Sequence, residues 1–328
     1  LIGAGLPIEE ALLAVSKQSE KPTIQSMMLT VRGKVMEGFS LANALGEYPR
    51  AFPNLHRATV AAGESAGHLD LVLNRLAEFT ETQQESSSKV KQALVYPIIL
   101  FVLTVMILGG LLGYVVPDIV KVFAESEQKL PWLTIAVIST SDFIVAYGLL
   151  ILVMLIVMAL CLRRLLQVPS ARLGYHRRIL AMPLVGKLSR GTNTAQFAST
   201  LSILSSSGVP LVEAMKIAGE VLSNTWLRLK VTEATVRVSE GSSLSGSLEQ
   251  SGNFPPMMLH MIASGESSGE LDDMLARVAR HQQQDADLLM SLLLSLFGPL
   301  MLIVMGGAVF TIVMAILLPI INLNQLVV

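Results

Sequence analysis

The sequence contains a single cysteine, Cys161, and little charge: 15 % of its 328 residues are Asp, Glu, Lys or Arg, where a soluble domain usually carries about 25 %. One cysteine excludes an intrachain disulfide framework and a zinc site built from several thiolates. Its apolar surroundings mark it as a small hydrophobe. The chain also lacks a basic excess, its net charge being −1, which excludes the electrostatic footprint of a nucleic-acid binder. No Walker A sequence, Rossmann glycine fingerprint or H-E-x-x-H is present, and His56, His68, His176, His260 and His281 never fall at metal-ligand spacing. If the protein takes part in active work, the energy for it is therefore expected from a partner. What is abundant is apolar: 52 % of residues, with a mean hydropathy of +0.59. That excludes disorder. The length suggests about two domains.

The charges leave three long gaps. Gln92–Pro117 is 26 residues without one, Phe143–Leu162 is 20, and Leu288–Val328 is 41. A bilayer core requires about 20 apolar residues as helix. Three spans are predicted, near 96–116, 143–162 and 298–321. Arg163, Arg164, Arg172, Arg177, Arg178, Lys187 and Arg190 follow the second gap. The loop before it holds only Lys121 and Lys129 against Asp118, Glu125, Glu127 and Asp142. Lys and Arg favour the cytoplasmic side, so the N-terminal region and the region after span two are expected inside. The 118–142 loop and the C-terminal tail are then expected outside. The spans contain no Asp, Glu, Lys, Arg or His, which argues against a transporter or proton pump. Gly109 and Gly113, and the Gly306-Gly307-Ala308 cluster, permit close helix packing or are ordinary membrane-helix composition. The basic stretch 163–190 sets topology or binds anionic lipid head groups.

An internal repeat organises the rest. Gly5-Leu-Pro-Ile-Glu-Glu-Ala11 matches Gly208-Val-Pro-Leu-Val-Glu-Ala214, 203 residues on. Glu37-Gly38 matches Glu240-Gly241, and Ser40-Leu41 matches Ser243-Leu244. After one residue is lost, Phe52-Pro53 matches Phe254-Pro255, and Gly63-Glu-Ser-Ala-Gly-His-Leu-Asp70 matches Gly265-Glu-Ser-Ser-Gly-Glu-Leu-Asp272. Pro97 and Pro299 match at the start of a span, Pro117 and Pro319 at its end. Each copy is thus a helical domain followed by one outgoing helix. The unpaired middle helix returns the chain, so the copies are parallel, unlike inverted transporter repeats.

Both copies read as helical. Pro7 and Pro210 suit a first helical position, with Glu10 and Glu213 near the positive end. Ser40 and Ser243 suit N-caps. Leu69, Val72, Leu73, Leu76 and Phe79 form an amphipathic stripe. Each copy is expected to be a bundle of five or six short helices, the last running on toward the membrane. Gly63-Glu-Ser65-Ala-Gly67 and Gly265-Glu-Ser267-Ser-Gly269 fit the G-x-S-x-G of a nucleophile elbow, but that elbow requires a strand before the serine. Here both flanks are helical. The better reading is a helix–helix turn in which glycine supplies positive φ and Glu64 or Asp70 caps a neighbouring helix.

Duplicated helical domains, three spans and two G-E-x-x-G-x-L-D turns (Gly63, Glu64, Gly67, Asp70; Gly265, Glu266, Gly269, Asp272) resemble the type II secretion F domain family across essentially the whole chain. The ending Ile316-Leu-Leu-Pro319-Ile-Ile-Asn-Leu-Asn-Gln-Leu-Val327 is similar to the secretion branch more than to the type IV pilus branch. Phe197-Ala-Ser-Thr200 has no counterpart in the first copy, so the sequence is read as beginning inside its first helix. The resemblance implies a non-enzymatic platform protein of the bacterial inner membrane. It implies contacts with a cytoplasmic assembly ATPase, other inner-membrane secretion proteins and pilin-like subunits, and a homo-oligomer in the lipid bilayer. The fold class is an all-α membrane protein with two repeated cytoplasmic helical-bundle domains and three transmembrane helices. Its expected parts are a first cytoplasmic domain at 1–92, spans at 93–117, 143–162 and 297–321, a periplasmic loop at 118–142, a basic linker at 163–192, a second cytoplasmic domain at 193–296 and a periplasmic tail at 322–328. The resemblance requires no cofactor. It places a calcium ion (Ca2+) in the first domain, on Glu20, Asn74 and Glu78. Asn74 and Glu78 are four apart on one helix face, and oxygen ligands suit calcium. Asn74 stands where an acid is usual and Glu20 where a hydroxyl is usual. The matching positions of the second copy are Ser223, Ala276 and Arg280, so no second site is expected.

Overall fold

The computed structural model describes residues 1–116 and 131–324, and every regular element among them is helical. The helices are α1 (Ile8–Gln18), α2 (Pro22–Met36), α3 (Leu41–Leu45), α4 (Asn54–Ala66), α5 (Leu69–Gly110), α6 (Trp132–Leu165), α7 (Pro169–Ala181), α8 (Val185–Ser206), α9 (Leu211–Val221), α10 (Thr225–Ser239), α11 (Leu244–Glu249), α12 (Pro256–Ser268) and α13 (Leu271–Asn324). The chain divides into two compact units, one of 1–86 with 172–288 and one of 87–171 with the stretch from Leu289 onward.

In the first unit the repeat is visible element by element. Helices α1, α2 and α4 have 11, 15 and 13 residues, and α9, α10 and α12 have the same lengths. Local chemistry explains the boundaries. Pro7 and Pro210 are N-caps, one position ahead of the first helical residue, with Glu9, Glu10 and Glu213 in the first turns. Ser40 and Ser243 cap α3 and α11, each hydroxyl accepting the N–H three residues on, at 3.2 Å. Asn224 caps α10 by accepting from Trp226 and Leu227. Residues 163–192, expected as a linker, contain α7 and the start of α8.

A single core runs through both copies. Val31, Leu41, Val60 and Leu76 of the first belong to the same buried cluster as Met215, Leu222, Leu244 and Ile262 of the second. Helix α8 contributes Phe197, Leu201 and Leu204, all with no exposed surface. The Phe197 ring stands 5.6 Å from Phe254. Each such side chain contributes about 1.5–3 kcal/mol on burial, so the copies stabilise one another. Helix α4 packs on α8 and α9, and Asn54 donates to the Glu220 carboxylate at 2.6 Å.

In the second unit, α5 runs through Pro97 without a break and ends in a π-helical turn, Leu111–Val115. Helices α5 and α13 are each long and apolar enough to cross a membrane, with mean hydropathies of 2.5 and 2.7 over their most apolar stretches. Helix α6 makes a third if its two halves, bent by 58° after Gly148, form one span. It begins at Trp132 rather than near 143. Asp142 interrupts the charge-free run, yet a helix carries one acidic residue without ending. Residues 117–130, most of the expected 118–142 loop, lie outside the described residues, as do 325–328 of the expected tail. Helix α13 continues through 324. Polar side chains bridge the helices: Thr134 donates to the Ala315 carbonyl at 2.7 Å, and Ser141 donates to the carbonyl of Leu112 in the π turn. Among the described residues a Cβ built on Gly109, Gly113, Gly306 or Gly307 would meet nothing within 4 Å, so none of these glycines makes room for a neighbouring atom.

Candidate functional site

The two G-E-x-x-G turns join α4 to α5 and α12 to α13, and the first glycine of each does different work from what spacing suggested. Gly63 and Gly265 lie inside helices, not at the turn. A Cβ on Gly63 would stand 2.9 Å from Val72 Cγ2, and one on Gly265 would stand 2.9 Å from Met274 Cβ. Val72 and Met274 are themselves matched positions of the repeat. The first glycine of each motif therefore permits close approach of two helices. The second supplies positive φ, 75° at Gly67 and 76° at Gly269. In the first copy this is a Schellman ending: His68 N–H donates to Gly63 O at 3.0 Å and Gly67 N–H to Glu64 O at 3.3 Å.

Glu64 and Glu266 reach sideways to a different helix. The Glu64 carboxylate accepts the N–H groups of Leu41 at 2.5 Å and Ala42 at 3.0 Å, the open N-terminus of α3. Glu266 accepts from Leu244 and Ser245 at the same two distances, at the start of α11, and also from the Ser245 hydroxyl at 2.5 Å. Carboxylate and helix N-terminus attract through charge and through unpaired N–H donors. The duplicated Ser-Leu pairs at 40–41 and 243–244 were the available signal, since each lies at the same distance from its glutamate in both copies bar the single deletion.

The acidic residues that end the motifs diverge. Asp70 is exposed in the first turn of α5. Asp272 accepts a hydrogen bond from the Ser205 hydroxyl of α8. Asp272 also borders an open cleft of about 720 Å³ between α5, α8 and α13, lined among others by Arg75, Glu78, Asp273, Arg280 and Gln283. Arg75 closes one part of it, donating to Ser206 O at 2.8 Å and Ser206 Oγ at 2.7 Å. Gln283 donates to Ser86 at 3.2 Å. Most residues lining the cleft are polar, with both signs of charge among them, and none is a histidine. Ser65 Oγ is spent on its own helix, donating to Ala61 O at 2.9 Å, and Ser267 Oγ donates to Ser264 O. Neither is set on a strained strand-to-helix elbow.

Glu20 lies in the short connection between α1 and α2, while Asn74 and Glu78 lie one turn apart on α5. All three are exposed. The Asn74 amide lies against the N-terminal turn, 3.9 Å from where Gly3 would carry a Cβ. Glu78 lines the cleft together with Ala276 and Arg280, the second copy's counterparts of Asn74 and Glu78. Two carboxylates and an amide suit a hard cation in type, but they provide only part of calcium's six to eight oxygens. Among the described residues no group of three or more His, Cys, Asp or Glu gathers to hold a metal.

Helix α7 is fixed to the second copy by His176. Its Nδ1 accepts the Thr225 N–H at 2.9 Å, and its carbonyl accepts from the Asn224 amide at 3.2 Å. Burial, and then the nearby Arg172 guanidinium, hold its pKa below the ordinary value. Burial alone does the same for His56 of α4.

The family profile described as "Type II secretion system (T2SS), protein F" matches residues 1–117 and again 197–319, the two copies of the repeat. The chain belongs to the type II secretion system protein F family. Members of this family align with it from end to end. The type II secretion system protein F of Pseudomonas aeruginosa is 56 % identical over 100 % of this chain and 81 % of its own length. That of Aeromonas hydrophila is 50 % identical over 100 % of this chain and 84 % of its own. The type IV pilus assembly protein PilC of Thermus thermophilus is 34 % identical over 97 % of this chain and 79 % of its own. The chain is thus more similar to the secretion proteins than to that pilus protein.

Proposed function

We propose that this chain is the inner-membrane platform of a type II secretion system, coupling a cytoplasmic assembly ATPase to the assembly of pilin-like subunits for export of folded proteins. The observation that carries the reading is 56 % identity along the whole chain to a type II secretion system protein F. The weaker 34 % to a pilus protein does not favour the pilus alternative. The structure supports the role in kind. Two helical repeats share one core, which suits a rigid docking body. Long apolar helices with exposed faces suit packing against lipid and against other membrane helices. The polar side chains at the motif turns stabilise the fold, so we infer no enzymatic activity for them.

In this proposal the chain crosses the membrane three times, with its N-terminal region and both repeats in the cytoplasm and its C-terminus in the periplasm. It forms a homo-oligomer and contacts other inner-membrane secretion proteins. A calcium ion on Glu20, Asn74 and Glu78 is a separate part of the proposal, supported by donor chemistry alone.

The test is a gene deletion with complementation in the native bacterium. Folded exoproteins are expected to accumulate in the periplasm while twitching motility stays normal, and complementation restores export. Normal secretion with lost twitching would overturn the reading in favour of pilus assembly.

A further inference from the structure

From Phe143 to Val212 the chain carries no Asp or Glu. Within that stretch, α7 and α8 meet at a corner in the first unit. The corner is tightly built. A Cβ on Gly186 would stand 2.5 Å from the Leu180 carbonyl oxygen, so the two helices close on each other through this glycine. Gly186 N–H donates to Met182 O at 3.0 Å, and Arg190 donates to Leu180 O at 3.3 Å. Gly186 and Leu180 are buried. Yet the corner turns its larger apolar side chains outward: Met182, Leu184 and Val185 are 52, 57 and 49 % exposed. Arg178 and Lys187, close to them in sequence, are exposed too, as is Arg172 near the start of α7. Among the described residues, Arg178 and Lys187 have no hydrogen bond or ion pair, whereas Arg177 stacks on Trp226, its guanidinium 4.8 Å from the ring centroid.

A rigid corner that exposes three large apolar side chains flanking one proline, with two cations beside them that have no partner among the described residues, needs a surface that is apolar within and anionic at its face. Water satisfies the cations but not the apolar side chains. An acidic protein groove would serve both, but the corner's place in the chain favours lipid. Only Leu166–Val168 separate α7 from α6, whose last turn carries Arg163 and Arg164. The patch is therefore joined, through the 13 residues of α7, to the charged end of an apolar helix. We propose that the α7–α8 corner is a docking surface for anionic phospholipid, with Met182, Leu184 and Val185 entering the acyl boundary and Arg172, Arg178 and Lys187 meeting phosphate head groups. Topology-setting charge requires no fixed apolar corner; a lipid dock requires both. The docked corner would seat the second repeat on the bilayer surface, because α7 is bound to α10 through His176 and Asn224.

The test uses the full chain in nanodiscs, with Cys161→Ala and Leu184→Cys carrying an environment-sensitive nitrobenzoxadiazole label. In discs containing phosphatidylglycerol the label is expected to shift to the blue and to be quenched by doxyl-labelled lipid. In phosphatidylcholine discs quenching falls. Adding Arg178→Gln and Lys187→Gln should lower the docked-to-undocked ratio roughly thirty-fold, from about a factor of five per cation. Both are exposed substitutions, and unchanged helicity by circular dichroism keeps the comparison valid. A label at Val236→Cys, exposed on α10, serves as the unquenched reference. Equal quenching in both discs overturns the anionic recognition. A blue-shifted label that doxyl lipid does not quench overturns the proposal in favour of a protein partner, and an unshifted label overturns it outright.

Discussion

The Glu266 carboxylate accepts the Leu244 backbone N–H at 2.5 Å, and 22 residues of chain separate the two. Glu64 holds Leu41 at the same distance in the first copy, across 23. A duplicated residue that keeps a duplicated partner is doing the same structural job twice. Helices α3 and α11 have only five and six residues, too short to be stable alone. Each depends on the glutamate of the next helix to satisfy its first N–H groups.

Glu64→Ala and Glu266→Ala should therefore each destabilise the chain by about 1–3 kcal/mol, the cost of leaving partly buried donors without a charged acceptor. The Gln variants should recover part of the loss, since an amide oxygen accepts one N–H but carries no charge. Denaturant midpoints of the detergent-solubilised chain check this. Unchanged midpoints with reduced capture of the assembly ATPase would show that these glutamates dock a partner instead.

Gly63→Val and Gly265→Val should both lower protein abundance. Each would drive a branched side chain into a neighbour whose atoms already stand 2.9 Å from the missing Cβ. Overpacking of this kind costs about 1–3 kcal/mol. Gly67→Ala, at φ 75°, faces open space and should cost about 1–2 kcal/mol through backbone strain alone. Immunoblots of membranes beside an ATPase co-purification separate folding from docking. Normal abundance of both valine variants would refute the packing role.

These motif residues show what the sequence could and could not tell. The repeat register, the Ser40 and Ser243 caps and the glutamate as a helix cap were legible, because each rests on local chemistry or on matched spacing. The role of Gly63 was not. A glycine before a turn looks like a turn residue, and only the approach of Val72 across the helix pair shows why Cβ is excluded. Likewise, Gly109 and Gly113 allow either close packing or ordinary membrane-helix composition by spacing, and among the described residues no neighbour stands where their Cβ atoms would be. The charges of 163–190 left topology and lipid binding both open, and the sequence does not show that Met182, Leu184 and Val185 stand exposed among them. Arg75 reaching Ser206 across 131 residues has no local signature at all.

Stability should fall as pH falls below about 6.5, the ordinary histidine value. His176 and His56 both have folded pKa values below it. Between the folded and unfolded values the unfolded chain binds more protons, so acid favours unfolding. For His176 the cause is visible, since protonating Nδ1 removes the acceptor of the Thr225 N–H. Melting temperatures measured from about pH 7.5 down to 5.5 should decline, and less steeply in His176→Gln. An identical slope in the variant would show that His176 takes no part.

Calcium provides the sharpest contrast between the two copies. Glu78 and Arg280 occupy matched positions and line one cleft, so a cation held by Glu78 shares that cleft with a positive charge from the second copy. With an amide and two exposed carboxylates as donors, affinity should be weak, in the range of about 10⁻⁴–10⁻³ M that extracellular calcium modules reach. Calorimetry on the full chain in detergent should give a heat at millimolar calcium that Glu78→Gln abolishes. Arg280→Gln should raise the affinity by removing the opposing charge. A titration without heat, in wild type and Arg280→Gln alike, would end the calcium assignment and leave Glu78 as a solvated residue of the cleft.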